Sequence, residues 1–530
     1  MSREFRIHGR VFRKIAVDFG NRDRCVAQVN FTWRERSRVR LGAWHWINEP
    51  IARAIASPAP TRLLAQSALI KCDLAPGAES VMHRDVNEIT PSPGGRFERL
   101  RAALQRTAPF SRRERWILAI ALAVVLIGPL CSHLYKALYR QRGDWYSIYT
   151  IADHSVRTGE LWADPDEDIV RSQRYPPIAR PLLMPLALAP KAVTAIGSFV
   201  LFTGLYLWCA AVLVRTFLPP PDAARAGRVI GVALLWAIVL PYLYADLVAC
   251  NVTSVLLASV TGAYVLAARG KPIRAGLVLS IGVLLKMIPA LCLLHFVVRR
   301  QWRVAWGTIA GVVLLGLIPT LVIFGPTKLR DYQGWWYRHE FAEFTPMRVI
   351  DDPIECTYQN QAVVRTLVRL LTHTNAGHAG DPFYITLAEP PRWVIKAVYF
   401  GIMGLSLVGL GATLWRTRRD DSALGAATSY ALCVGAMLWF SPWAGSYYFS
   451  MAMWPAAPLL AAALDERRNR WPARIALGVW IVAMPTLASL RLRAYGATMD
   501  ALFVLLAALA GYLIWAARRS EPPTVVGGRT

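Results

Sequence analysis

The fold is decided by the stretch 116–134, WILAIALAVVLIGPLCSHL, which contains no Asp, Glu, Lys or Arg. Its length is close to the ~20 apolar residues that an α-helix needs to cross a bilayer. It follows the basic cluster Ser111-Arg-Arg-Glu-Arg115, and basic residues beside a span tend to stay in the cytoplasm. The stretch therefore predicts a first membrane helix that begins on the cytoplasmic side.

Similar apolar blocks recur along the chain. Of its 530 residues 55% are hydrophobic and 18% are charged, whereas soluble domains carry about 25% charged residues. The later blocks cover roughly 191–214, 228–245, 248–268, 304–324, 393–415, 422–440, 446–463, 475–490 and 500–517. This composition excludes an ordinary soluble enzyme and a disordered chain, and it predicts an all-α polytopic membrane protein.

The net charge of +26 arises from 60 Lys and Arg against 34 Asp and Glu. The basic residues bunch between the apolar blocks, as they do in cytoplasmic loops. No aromatic and basic RNA- or DNA-binding motif is present, so we expect no nucleic-acid partner. The eight cysteines are scattered without a CxxC or Cys/His cluster, and the sequence indicates neither a metal site nor any other cofactor.

Residues 1–110 are basic and lack sustained helical or strand periodicity. We interpret them as a disordered cytoplasmic lead or as upstream sequence translated from a misplaced start. The membrane domain is expected over 111–519, followed by a short cytoplasmic tail over 520–530.

The segment 274–298 is unusual because basic clusters flank it on both sides, at 269–274 and 299–303. A single crossing would place those clusters on opposite sides of the membrane. Lys286 is costly at mid-bilayer, and Pro289 breaks a helix. We therefore predict a hairpin of two short legs with Lys286 near the outer surface; the alternative is one long tilted helix.

With the hairpin counted as two legs, about twelve membrane helices are expected, with both termini in the cytoplasm. Two segments, 139–190 and 326–391, then lie on the outer face of the plasma (inner) membrane. Loops of that length in a compact protein are usually functional. Asp144 and Lys286 are ionisable groups near this face, and such groups in a membrane protein are functional candidates by default.

A series of short motifs follows in order along the chain. They are Asp144-x-x-x-x-Tyr149, Gly159-Glu-Leu-Trp162, Tyr175-Pro-Pro, Lys286-Met-Ile-Pro289, Asn360-Gln361 and Ser441-Pro442 with Tyr447-Tyr448. In this order and placement they resemble glycosyltransferase family 87, membrane enzymes of the GT-C class. The resemblance covers roughly 111–519.

The resemblance implies transfer of a sugar of the mannose or arabinose class, with inversion, from a polyprenyl-phosphate donor to a hydroxyl of a glycan or glycolipid acceptor. Asp144 matches the family's first-loop aspartate and is the candidate general base. Lys286 matches its intramembrane lysine and is expected to neutralise the donor phosphate in the same pocket. The remaining candidate substrate-binding residues are Tyr149, Tyr175, Asn360, Gln361, Tyr447 and Tyr448.

Structural alternatives accompany these assignments. The alternative bases are Asp153, Asp351 and Asp352, and the structural alternatives for Asp144 are capping a helix or facing solvent. Alternatively, Lys286 has a structural role, in which it extends to the membrane–water interface or pairs with Asp246. Asn360 and Gln361 are alternatively ordinary loop residues. Asn251 is interpreted as a buried polar contact.

The sequence departs from the family at Tyr447, where many relatives carry a histidine. This leaves a non-catalytic relative as one alternative. A transporter or flippase of lipid-linked sugars is another, but such proteins typically contain repeated halves. No internal repeat is found and both long segments fall on one predicted side, so sugar transfer is preferred.

Overall fold

The computed structural model describes residues 5–7, 10–12, 110–141, 143–161, 175–218, 225–342, 345–353, 356–377, 381–420, 422–465 and 471–520. The predicted lead 1–110, apart from two short strands and Phe110, and the tail beyond Ser520 lie outside the described residues. The chain divides into two units, Met1–Thr90 and Pro91–Thr530. The strands belong to the first unit and form an antiparallel pair, β1 (Phe5–Ile7) and β2 (Arg10–Phe12).

The second unit is helical in its described parts. Up to the middle of the chain its α-helices are α1 (Arg112–Leu134), α2 (Asp144–Thr158), α3 (Arg180–Leu183), α4 (Lys191–Phe217), α5 (Arg225–Ala249), α6 (Thr253–Ala268), α7 (Pro272–Leu285), α8 (Leu293–Val298), α9 (Trp302–Val312) and α10 (Ile318–Phe324). They are followed by α11 (Pro326–Trp336), α12 (Pro346–Asp351), α13 (Val363–Leu371), α14 (Arg392–Thr417), α15 (Ala423–Trp439), α16 (Met453–Leu464), α17 (Trp471–Ala483), α18 (Leu490–Ala494) and α19 (Ala497–Ser520).

Shorter helical turns interrupt or extend several of these helices. Wider π-helical turns occur at Tyr135–Arg140, Val313–Leu317 and Tyr337–Phe341. Tighter 3-10 turns occur at Pro177–Ala179, Met184–Ala187, Ile288–Cys292, Ser446–Ala452 and Met484–Ala488.

Six described helices are long and apolar enough to cross a membrane: Arg112–Arg140, Lys191–Phe217, Gly227–Ala249, Trp302–Phe324, Arg392–Thr417 and Ala497–Ala516. Five shorter apolar helices lie among them, at Thr253–Ala268, Pro272–Leu285, Ile288–Val298, Ala423–Trp439 and Trp471–Ala483. The protein is therefore a helical membrane protein with six candidate spans in its described part. The larger number, about twelve, stays a prediction.

The first span shows how the sequence forms such a helix. Ser111 and Glu114 make a reciprocal capping box, in which each side chain accepts a hydrogen bond from the other residue's backbone N–H, and this satisfies two N–H groups at the helix start. Farther along, Trp116 is 61% exposed and Val124 is 71% exposed. An apolar face left this bare is suited to lipid rather than water.

Helix α7 ends at Leu285 because Lys286 adopts an extended backbone, with φ −151° and ψ 134°. Pro289 follows in the next turn, where its missing N–H would leave an α-helix short of a hydrogen bond. The chain continues as the 3-10 turn Ile288–Cys292 and then as helix α8. The predicted segment 274–298 is therefore two helical pieces broken at Lys286.

Helices α7 and α9 show that the chain reverses between them. A Cβ at Gly276 would collide with the backbone of Val304, and a Cβ at Gly316, in the continuation of α9, would collide with the side chain of Leu284. The contacting residue numbers rise together, so α7 and the continued α9 run parallel. The pieces between them must return in the opposite direction, which is the reversal that the predicted hairpin requires.

The basic clusters on either side of this hairpin consequently lie at the same end of the helical unit. The guanidinium of Arg299 donates hydrogen bonds to the backbone oxygens of Thr417, at 3.3 Å, and Asp420, at 2.7 Å. This places a third basic cluster, 416–419, at that end as well. Lys286 lies at the opposite end of α7.

Candidate active site

Asp144 is the first residue of α2, directly after the first span. Gly143 precedes it with φ 102°, a left-handed conformation that favours glycine. The Nδ2 of Asn251 donates a hydrogen bond of 2.5 Å to Oδ2 of Asp144, and Lys136 interacts with Asp144 electrostatically. The half-buried carboxylate is therefore held between an amide and an ammonium group rather than facing solvent alone.

A sharp turn between α5 and α6 supplies that amide. Cys250 has φ 49°, and its backbone N–H donates to the carbonyl of Asp246 at 2.6 Å. Asn251 follows and is only 2% exposed. The expected buried polar contact of Asn251 is thus a hydrogen bond to the candidate base.

Asp246 is fully buried, with an exposed fraction of 0%. It accepts a hydrogen bond of 2.8 Å from the hydroxyl of Tyr206, which is also 2.7 Å from Oγ of Ser450. Asp246 interacts electrostatically with both Asp144 and Lys286. A single buried carboxylate therefore links the two charged groups that the sequence singled out, which belong to elements far apart in the chain.

The ammonium of Lys286 lies 4.1 Å from the centre of the Tyr448 ring. This distance is typical of a cation–π contact. Tyr448 is 3% exposed, and its ring packs against that of Tyr447 with the centroids 4.5 Å apart. Of the predicted substrate-binding residues, the structure thus brings the two tyrosines and the lysine together.

A cavity of about 230 Å³ opens next to Lys286. Its walls come from the break after α7, from both predicted outer segments and from the segment after α15: Pro176, Leu285, Lys286, Met287, Ile288, Trp336, Glu340, Phe341, Thr345, Pro346, Ser441, Pro442 and Trp443. Asp144 is not one of these lining residues. Sequence reasoning missed Glu340, because a single acidic residue in a polar loop carries no distinguishing signal.

Tyr149 and Tyr175, the other two predicted substrate-binding tyrosines, lie in different surroundings. Tyr149 stacks on Trp145 with ring centroids 5.2 Å apart, and the Trp145 indole donates to Oγ of Ser198 at 3.0 Å. Tyr175 is buried in the main hydrophobic core, and its neighbour Pro176 lines the cavity. Neither tyrosine lines the cavity itself.

Asn360 and Gln361 are buried and join the second outer segment to the segment after α15. Oδ1 of Asn360 accepts hydrogen bonds from the backbone N–H groups of Ala362 and Ala444, both at 3.1 Å. The backbone N–H of Gln361 donates to the carbonyl of Ala444 at 2.7 Å. In this geometry both residues hold Trp443, a cavity wall residue, in position; their predicted contact with substrate stays a prediction.

Arg369 reinforces this junction. Its guanidinium donates to the carbonyls of Asn360, at 2.7 Å, and Ala494, at 2.8 Å. Burial lowers the pKa of Arg369 to about 10, so the group remains protonated at neutral pH. The backbone that carries Asn360 is therefore fixed by a buried cation.

The rival carboxylates are each tied to a basic neighbour. Asp153 lies 2.8 Å from Arg157, Asp351 2.7 Å from Lys396, and Asp352 3.1 Å from Arg348. Asp144 instead accepts a hydrogen bond from the Asn251 amide, and Lys136 and the buried Asp246 act on it only electrostatically. This difference favours Asp144 as the candidate base.

Residues 174–442, just over half of the chain, match the family model of glycosyltransferase family 87. The chain belongs to glycosyltransferase family 87. The matched range contains Lys286, Glu340, Asn360 and Gln361, and it begins after Asp144. No curated protein and no solved structure matches the chain. Membership in family 87 makes the protein a glycosyltransferase, with a sugar donor and an acceptor as its substrates.

Proposed function

We propose that this family 87 protein transfers a sugar of the mannose or arabinose class from a polyprenyl-phosphate donor to a hydroxyl of a glycan or glycolipid acceptor. Transfer takes place at the outer face of the plasma membrane, with both termini in the cytoplasm. The grouping of basic clusters 269–274, 299–303 and 416–419 at the end opposite Lys286 supports this orientation, because such clusters favour the cytoplasmic side.

The observation that carries the proposal is the set of contacts around Asp246: Tyr206 joins Asp246 to Ser450, whose turn also holds Tyr448 against Lys286. Asn251, in the turn after α5, holds Asp144. Sugar transfer from a lipid phosphate needs one group that accepts a proton and one that stabilises the departing phosphate. A carboxylate suits the first task and a cation suits the second. The two groups come from the start of α2 and the break after α7, so only the fold brings them together.

In the proposed reaction Asp144 accepts the proton of the acceptor hydroxyl. The hydroxyl oxygen attacks the anomeric carbon from the face opposite the phosphate and forms the new glycosidic bond. The bond between that carbon and the phosphate oxygen breaks, and polyprenyl phosphate leaves with the electron pair. Lys286 stabilises the additional negative charge on the phosphate, and the configuration of the sugar is inverted.

The arrangement around Asp144 supports this role. Asn251 holds one carboxylate oxygen, which leaves the other oxygen available for the acceptor proton. Apolar walls at the cavity beside Lys286 exclude water, and this strengthens the attraction between an ammonium group and a phosphate.

The test is transfer of radiolabelled sugar from polyprenyl-phosphate mannose or polyprenyl-phosphate arabinose to a membrane glycolipid extract by the purified full chain. Asp144→Asn should lower kcat by about 10²–10⁴-fold, the usual contribution of a positioned general base. Asp153→Asn is the matched control and should retain activity, because Asp153 is paired with Arg157 on the surface.

Full activity of Asp144→Asn would refute the base assignment. Movement of the lipid-linked sugar across vesicles without a new glycosidic bond would favour a transporter instead.

A further inference from the structure

We propose that Glu340 binds hydroxyl groups of the donor sugar and thereby determines which sugar the cavity beside Lys286 accepts. This inference rests on the proposed polyprenyl-phosphate donor. No sequence motif assigns a role to Glu340, and we place it on the sugar-binding side of that site.

The cavity carries two opposite charges on a mostly apolar wall. Its lining contains the cation Lys286 and the carboxylate Glu340, while most of the remaining wall is proline, aromatic or aliphatic. A ligand suited to these walls carries an anionic group at one end and hydrogen-bond donors at the other. A phosphate joined to a sugar has this pattern.

The cavity also has the size of a single sugar ring. Its volume of about 230 Å³ is below the ~300–1,000 Å³ of pockets that enclose drug-sized ligands. A single sugar ring is a ligand of this smaller class. Trp336, Phe341 and Trp443 lie in the walls, where flat rings offer apolar surface to the C–H face of a sugar.

Glu340 has an unusual local backbone conformation. The residue lies in the π-helical turn Tyr337–Phe341, and such turns are frequent at functional sites. Aromatic contacts fix this turn: Trp336 and Tyr337 lie with ring centroids 5.8 Å and 5.4 Å from that of Phe341. The carboxylate is therefore placed by a packed turn rather than by a freely moving loop.

A carboxylate is chemically suited to binding sugar hydroxyls. An ionised carboxylate only accepts hydrogen bonds and has about four acceptor positions, so it suits neighbouring hydroxyls of a sugar. Hydrogen bonds to a charged acceptor are about twice as strong as those between neutral groups. A bare polyprenyl phosphate carries no such hydroxyls and gains nothing from Glu340.

The experiment measures binding rather than transfer, so it needs no acceptor. The purified full chain is titrated in detergent with short-chain polyprenyl phosphate, polyprenyl-phosphate mannose and polyprenyl-phosphate arabinose. The quantity of interest is the affinity of the preferred sugar-bearing lipid divided by the affinity of the bare lipid phosphate. We expect Glu340→Gln to lower this ratio about ten-fold or more and to leave the affinity for bare polyprenyl phosphate unchanged.

Two further variants distinguish loss of phosphate binding from loss of sugar binding. Lys286→Met should weaken binding of all three lipids, because each carries the phosphate. Asp331→Asn is the matched control: Asp331 lies in α11, directly before the same turn, its side chain is 59% exposed, and it does not line the cavity. We expect it to change neither the ratio nor the affinity for the bare lipid.

If the wild-type protein prefers a sugar-bearing lipid and Glu340→Gln leaves the ratio unchanged, the role proposed for Glu340 is wrong, whereas the proposed donor class stands. An equal loss of affinity for all three lipids in Glu340→Gln would also contradict the role proposed for Glu340, since that result indicates a structural role. If the wild-type protein binds none of the three lipids, the proposed donor class is wrong and this inference fails with it.

Discussion

The two sides of the candidate site are built differently. Around Asp144, each of two carboxyl groups has a hydrogen-bond partner within the chain: Asn251 binds Asp144, and Tyr206 binds the neighbouring Asp246. Around Lys286 the wall is largely apolar and encloses an open volume of about 230 Å³. The first side is organised before a substrate arrives, whereas the second has space for one.

This difference follows from the chemistry that each side is proposed to perform. A general base acts best when its orientation is fixed before the reaction. A binding cavity must instead exchange water for ligand, and an apolar wall makes that exchange favourable. Substitutions on the Lys286 side should therefore alter donor binding, and those on the Asp144 side should alter turnover.

After Asp144→Asn, the largest effect is expected for Lys286→Met, which tests whether the Lys286 side of the site binds the donor. Loss of the ammonium should raise the KM for the donor about ten- to a hundred-fold, the range for a hydrogen bond to a charged group, and should leave the KM for the acceptor nearly unchanged. Lys191→Met is a matched control, because Lys191 also lies over a tyrosine ring, 4.3 Å from the centre of Tyr146, but does not line the cavity. Steady-state transfer kinetics with each substrate varied measure the effect; equal rises in both KM values would contradict the assignment.

A smaller effect is expected for the buried carboxylate between the two sides. Asp246→Asn keeps an oxygen that accepts the Tyr206 hydrogen bond but removes the ionisable carboxyl group, and it should lower kcat/KM by on the order of ten-fold. Tyr206→Phe keeps that carboxyl group and removes the hydrogen bonds to Asp246 and Ser450, so its effect should be nearer three-fold. The same assay compares the two variants, and thermal unfolding verifies that both fold. A larger loss in Tyr206→Phe would mean that orientation rather than the ionisable group matters.

The smallest effect on chemistry is expected at the junction behind the cavity. Asn360→Ala removes the acceptor for two backbone N–H groups and should destabilise the protein by about 1–3 kcal/mol. Asn360→Asp keeps an acceptor oxygen and should lose less. Thermal unfolding in detergent measures the difference. If Asn360→Ala unfolds at the wild-type temperature and only the KM for a substrate rises, Asn360 binds substrate directly instead of supporting Trp443.

The sequence predicted the parts of this structure that depend on local signals. The conflict between the basic clusters at 269–274 and 299–303 predicted a reversal near Lys286, and the structure has its break there. The position of Asp144 after the first span also follows from the end of an apolar run. Membership in family 87 was predicted from short motifs and is confirmed by the match over 174–442.

Other features depend on contacts between distant residues, which no local pattern encodes. Asp246 and Ser450 meet through Tyr206 only after α4, α5 and the Ser446–Ala452 turn have packed together. Glu340 and Lys286 line the same cavity only because the second predicted outer segment lies beside the break after α7. The described part of the chain has six candidate spans, and the total of about twelve membrane helices stays a prediction.

The close packing of α7 against α9 has a consequence for evolution of the donor site. Gly276 lies about 14 Å, nine residues of helical rise, from the end of α7 that carries Lys286. No methyl group fits at that glycine without moving the neighbouring backbone. The position of the ammonium therefore depends on packing near the opposite end of α7, and a substitution at Gly276 would displace Lys286 from a site that it never touches.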